Sequence, residues 1–139
     1  MRRDLPRHLD SLSSLYDFAE EILEAHRIAP GVRFPVHLAM EELFVNMVRY
    51  NPDVTTDIGI SVAIADNGQK VTVTLVDDGG VEFDVTASRA VNIDAPLEER
   101  TPGGLGIHLI QNLVDTLEYT YNDGRGEVIF TKRSGNEDV

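Results

Sequence analysis

The sequence predicts an α+β fold, a two-layer sandwich with helices on one face of a mostly antiparallel, mixed sheet. Two helical periods precede a pair of alternating strands, and a third helical period precedes a second pair. The order helix, helix, hairpin, helix, hairpin segregates helices to one side of the sheet.

Residues 1–9 supply a short first strand in this reading. From Ser11, read as an N-cap, Leu12, Leu15, Ala19, Ile22 and Leu23 recur at helical spacing, while Asp17, Glu20, Glu21 and Glu24 face water. Ala29-Pro30-Gly31 ends that helix, Pro35 takes the first position of the next, and Asn51-Pro52-Asp53 stops it. Ile58, Ile60, Val62 and Ile64 alternate with more polar or smaller residues as a half-buried strand. Asp66-Asn67-Gly68 turns the chain into a return strand carrying Val71, Val73 and Leu75. Residues 85–102 lack a period and hold two prolines, the signature of a lid or binding loop. A helix follows, with Leu109, Ile110, Leu113, Val114 and Leu117 on its apolar side. Strands over 118–122 and 127–132, joined by Asp123-Gly124-Arg125-Gly126, close the sheet, and 134–139 reads as a disordered tail.

A chain of 139 residues suits one domain spanning 1–139. Twenty-four acidic against twelve basic residues give a net charge of −12, which argues against nucleic acid and anionic membrane as partners. With no membrane-length apolar run and no signal-peptide core, a cytoplasmic location is expected. The absence of cysteine removes disulfides, thiolate chemistry and cysteine-ligated metals. His8, His26, His37 and His108 show no paired metal-ligand spacing.

Chemistry concentrates on the second helix. Val36, Ala39, Met40, Leu43, Met47 and Tyr50 form one apolar face, Leu38 and Val45 a second flank, and between them Glu42, Asn46 and Arg49 stack at i, i+4 and i+7. Polar groups on an inward side are expensive unless satisfied, so the stripe points to a ligand. A purely structural alternative pairs Glu42 with Arg49 and gives Asn46 a backbone partner. Two other stretches weigh in: Asp78-Gly79-Gly80 where a strand ends, and Gly103-Gly104-Leu105-Gly106 where a helix begins. An aspartate can accept an exocyclic amine, and glycines before a helix N-terminus can cradle phosphate.

In this order the three stretches resemble the GHKL ATP-binding family, whose Bergerat fold is shared by gyrase, Hsp90, MutL and histidine kinases. The nearest branch is the bacterial anti-sigma serine/threonine kinases. Glu42-Leu43-Phe44-Val45-Asn46 is similar to its N box, Asp78-Gly79-Gly80-Val81-Glu82-Phe83-Asp84 to its first glycine box, and Gly104-Leu105-Gly106-Ile107-His108-Leu109 to its second. Ala95-Pro96-Leu97-Glu98-Glu99-Arg100 stands before the last in the style of this branch.

The resemblance implies ATP and Mg²⁺ as cofactors. Asn46 would hold Mg²⁺, Arg49 would lie near the phosphates, and Asp78 would read the adenine amine with Gly80 against the base. Gly104, Leu105 and Gly106 would wrap the phosphates, residues 84–103 would form the lid, and Glu42 would be the general base. The implied partners are an anti-sigma antagonist protein, phosphorylated on Ser or Thr, and a sequestered sigma factor. Homodimerisation is common in the branch, and the first helix offers apolar contacts for it. The alternative function is a nucleotide-binding switch that docks a partner without transferring phosphate.

Three positions depart from the family pattern. Strand alternation from Val71, Val73 and Leu75 puts Asp77 inward, whereas spacing to Phe83 favours Asp78; a bulge would reconcile them. Asp78 is taken as the reader, with Asp77 in reserve. Phe130 stands where the family often places a small hydroxyl residue beside that aspartate, and Val85 where proline is usual. His108 is read as a helix-surface residue.

Overall fold

A computed structural model describes residues 1–50, 54–79 and 104–135 of the chain, with only the backbone described at Tyr50 and 104–106. Elements follow in the order β1 (Arg2–Leu5), α1 (Leu12–Ala25), α2 (Pro30–Tyr50), β2 (Ile58–Ala65), β3 (Lys70–Asp78), α3 (Gly104–Leu113), β4 (Thr116–Asn122) and β5 (Arg125–Arg133). The stop at Asn51-Pro52-Asp53, the lid at 84–103, Gly80 through Asp84, Val85, Ala95 to Arg100 and the tail beyond Gly135 lie outside the described residues.

The helix boundaries move from their expected places for local reasons. Ser11 does not cap α1 with its side chain; its hydroxyl donates to Pro6 O at 2.8 Å, while His8 Nδ1 accepts from the Asp10 amide at 3.0 Å and caps a preceding short turn. At the other end Arg27 adopts φ 54°, with Arg27 N–H to Glu24 O at 3.0 Å and Ile28 N–H to Leu23 O at 3.0 Å. This is a Schellman closure on a non-glycine residue, and it ends α1 before Ala29 is reached. Pro30, not Pro35, opens α2: the Ala29 carbonyl accepts from Val32 N–H at 2.9 Å and Arg33 N–H at 3.1 Å. Pro35 lies inside the helix.

The five strands form one sheet in the order β1-β2-β3-β5-β4, and every described pair is antiparallel. Opposed residues share a face. The inner face is therefore a stack of rows: Val62, Val73, Phe130 and Leu117; Ile60, Leu75, Val128 and Tyr119; and, at the sheet's end, Leu5, Ile58, Asp77, Gly126 and Tyr121. Helix α2 packs on this face against β3 and β5 and is flanked by α1 and α3. Its residues Met40, Leu43, Phe44 and Met47 are buried with Leu23 of α1 and Ile107 and Ile110 of α3. Two core anchors were missing from the expected faces, Phe18 and Phe44, both buried here. Leu109, expected inward, is 50% exposed because the apolar line of α3 runs through Ile107 and Ile110 and continues to Val114 just beyond the helix. His108 is exposed, as expected. No described helix is long and apolar enough to cross a membrane.

Candidate functional site

The polar stripe of α2 is present, and its members differ in burial. Asn46 is buried to 2% exposure and its Oδ1 has no hydrogen-bond partner among the described residues. A buried carbonyl oxygen left unpaired costs about 1–3 kcal/mol. Glu42, one turn earlier, is half-buried, and burial first, then the neighbouring Glu41 carboxylate, push its pKa above the ordinary glutamate value; Arg49 pulls weakly the other way. Arg49 itself is exposed, and among the described residues Glu42 and Arg49 form no ion pair. Among the described residues neither half of the structural alternative is met: the carboxylate is not paired along the helix, and the amide oxygen has no donor. A hard cation with several waters of its own would suit that oxygen.

At the end of β3 the pairing runs unbroken from Lys70 through Asp77 on β2 and through Asp78 on β5, so no bulge shifts the alternation. Asp77 accordingly points to the helix side and is 8% exposed, whereas Asp78 lies on the other face, its side chain 52% exposed and its Oδ1 3.8 Å from Arg125 Nε. Gly79, next in line, holds φ +80° and donates its N–H to Gly124 O at 2.9 Å. Phe130 does not neighbour either aspartate: it is fully buried opposite Val73. The residue opposite Asp77 is Gly126. A Cβ there would stand 3.4 Å from the Tyr119 ring and 3.9 Å from Asp77 Cβ, so the absent side chain keeps the surface beside the carboxylate low.

One residue that the sequence reading did not single out joins these parts. Arg7, in the segment after β1, has a side chain only 3% exposed and pairs with Asp77 Oδ1. The same guanidinium donates from Nη1 to Met47 O at 3.2 Å, from Nε to Thr56 O at 3.2 Å and from Nη2 to Thr56 Oγ1 at 3.4 Å. The residue after Asn46 and the inward aspartate of β3 are therefore within the span of a single planar fork. No local pattern marks Arg7, because its partners are 40 to 70 residues away in sequence. The helix opened by Gly104, Leu105 and Gly106 packs on α2 from the other side.

The described residues thus put a buried amide oxygen and a half-buried carboxylate of raised pKa on α2, and a buried carboxylate at the end of β3, with Arg7 bridging that strand end to Met47 O. The model of the histidine kinase-like ATPase domain matches residues 5–132. Serine/threonine-protein kinase BtrW of Bordetella bronchiseptica is 24% identical over 118 residues, which cover 85% of this chain and 82% of that protein. Serine-protein kinase RsbW of Bacillus cereus is 31% identical over 108 residues, 73% of this chain and 64% of its own length. A crystal structure of the RsbU and RsbW domains of a Mycobacterium tuberculosis protein aligns with a TM-score of 0.68 at 17% identity, covering 96% of this chain and 32% of the other. That last likeness speaks for the fold, which is the one the three motif stretches implied. By its match over nearly the whole length, the chain belongs to the histidine kinase-like ATPase domain family.

Proposed function

We propose that this protein binds Mg-ATP and, as an anti-sigma regulator, passes the γ-phosphoryl group to a serine or threonine of an antagonist protein and sequesters a sigma factor. The observation that carries the nucleotide part is the buried Oδ1 of Asn46, which lacks a partner among the described residues. Bound Mg²⁺ would supply charge neutralisation between phosphate oxygens, and Asn46 is the residue that would hold it. Within this proposal the base-reading role moves from Asp78 to Asp77, because a ligand between the layers meets the inward carboxylate. Gly80 would lie against the base, Arg49 would border the phosphates, and Gly104, Leu105 and Gly106 would surround them at the N-terminus of α3.

Phosphoryl transfer asks the protein for position and charge more than for covalent help. Glu42 would take the proton of the attacking hydroxyl as its oxygen bonds to the γ-phosphorus and the bond to the β,γ-bridging oxygen breaks, leaving ADP. A carboxylate whose proton affinity is raised by burial suits that task better than an exposed one. The sigma-factor and antagonist roles rest on likeness to the serine kinases, and the net charge of −12 is compatible with a basic protein partner.

The test is a calorimetric titration of Mg-ATP into the wild type, Asp77→Asn and Asp78→Asn. Micromolar binding that is lost in Asp77→Asn and kept in Asp78→Asn supports the site as drawn. Loss only in Asp78→Asn would restore the other register, and no binding to the wild type would end the nucleotide reading. Incubation with γ-labelled ATP and candidate antagonists then separates a kinase from a switch that only holds nucleotide.

A further inference from the structure

We propose that Arg7 is a positioning residue for base recognition: by locking the Asp77 carboxylate it confers the preference for a purine bearing an exocyclic amine. The inference deepens the proposed function and rests on Asp77 as the base-reading group.

The argument begins with where the carboxylate stands. Asp77 occupies a row whose other members on β1, β2 and β5 are Leu5, Ile58 and Gly126, next to a row of Ile60, Leu75, Val128 and Tyr119. A carboxylate at the edge of so apolar a face needs a counter-charge. Arg7 supplies the charge from a side chain 3% exposed. It also supplies rigidity. The guanidinium is planar and its donors are used in three directions: Asp77 Oδ1 on β3, Met47 O near the end of α2, and Thr56 O and Oγ1 before β2. An ammonium in the same place would provide the charge without fixing the plane.

A fixed acceptor discriminates. A site built to receive an N–H rejects the analogue that lacks it, whereas a mobile carboxylate can turn to solvent when no amine arrives. Arg7 therefore governs selectivity more than general affinity, since the triphosphate contacts lie elsewhere. Because the same fork binds Met47 O, directly after Asn46, it also ties base recognition to the helix proposed to meet the phosphates.

The experiment compares ATP with purine riboside triphosphate, which lacks the exocyclic amine, by Mg²⁺-containing calorimetric titration of the full chain. Wild type should prefer ATP by at least about tenfold. Arg7→Lys keeps the charge and loses the fork; it should weaken ATP about tenfold and leave the analogue within about twofold. Thr56→Val is the second variant, in case Arg7→Lys fails to fold. It removes one of the acceptors holding the fork and should lower the preference about threefold with the Arg7–Asp77 pair intact. Parallel loss of both nucleotides in the folded variants would assign Arg7 a structural role only and overturn the proposal. Asp77→Asn separates the two levels. If it abolishes the preference while Arg7→Lys and Thr56→Val preserve it, only the role of Arg7 falls; if it leaves the preference intact, the Asp77 reading falls and takes the proposal with it.

Discussion

Tyr16 of α1 stacks on His37 of α2 with ring centroids 4.2 Å apart and planes inclined by 21°, and the same imidazole meets Glu20 Oε1 at 2.9 Å through Nε2. Arg33 Nη1 adds contacts to Glu20 Oε2 at 3.1 Å and Glu24 Oε2 at 2.7 Å. The helix pair is thus tied along its outer seam by one carboxylate shared between an imidazole and a guanidinium.

That seam gives stability a pH dependence. The hydrogen bond from His37 chiefly, with Arg33 assisting, holds the Glu20 carboxyl below its ordinary range against the opposing effect of burial. A depressed folded-state value means that the contribution is present above the unfolded glutamate pKa, about 4.3, and is lost as pH falls through the folded value. The urea midpoint should drop in that acid window, and Glu20→Gln should flatten the drop. At neutral pH the substitution should cost no more than about 1 kcal/mol, since the pair is partly exposed.

Glu42 has the opposite sign. Its raised pKa means that ionisation disfavours the fold, so stability associated with its neutral form is present at low pH and lost as pH rises through the folded value. Glu42→Gln should therefore raise the melting temperature slightly at neutral pH. It should keep Mg-ATP binding and lower transfer at least about a hundredfold. Transfer by the wild type should rise with pH through the raised Glu42 pKa, and equal loss of binding and transfer in the variant would refute the role of base.

Asn46 is a case of function opposed to stability. Replacing a buried, unpaired amide oxygen by an apolar group of similar size removes a penalty of about 1–3 kcal/mol, so Asn46→Leu should be as stable as wild type or more so in urea. The same protein should lose the Mg²⁺-dependent part of ATP affinity. Destabilisation by about the worth of a buried hydrogen bond, with ATP binding intact, would mean that the oxygen serves the fold.

Gly79 carries φ +80°, and a Cβ there would reach Thr56 Cγ2 only at an ordinary 3.6 Å. The restriction is conformational, not steric crowding. Gly79→Ala should cost about 1–2 kcal/mol in thermal or urea denaturation, the penalty for an L-residue in left-handed geometry. Asp78→Ala, exposed on the outer face, should cost about 0.5 kcal/mol or less.

Much of this was legible from residue order because its causes are local. Helical spacing from Leu12 and along Ala39 to Met47, alternation from Ile58 and Val71, and glycine-rich turns each report a backbone preference within a few residues. The polar stripe could be seen on α2 for the same reason. Helix ends were less legible: α1 closes on Arg27, whose left-handed conformation has no glycine to announce it, and Pro30 and Pro35 were both chemically able to open α2.

The sequence by itself determined the fold class, the family and the helix face bearing Glu42, Asn46 and Arg49, since periodicity and motif order need no knowledge of what lies across the core. Tertiary structure alone decided which aspartate points inward, what stands opposite it and what holds it. Asp77 and Asp78 are adjacent and chemically identical; the unbroken register with β2 and β5 turns one toward the helices and the other toward water. Gly126 faces Asp77, and Phe130 does not, because pairing is fixed by the whole ladder. Arg7 reaches Asp77 across 70 positions of chain, a contact created only when the sheet and α2 have packed.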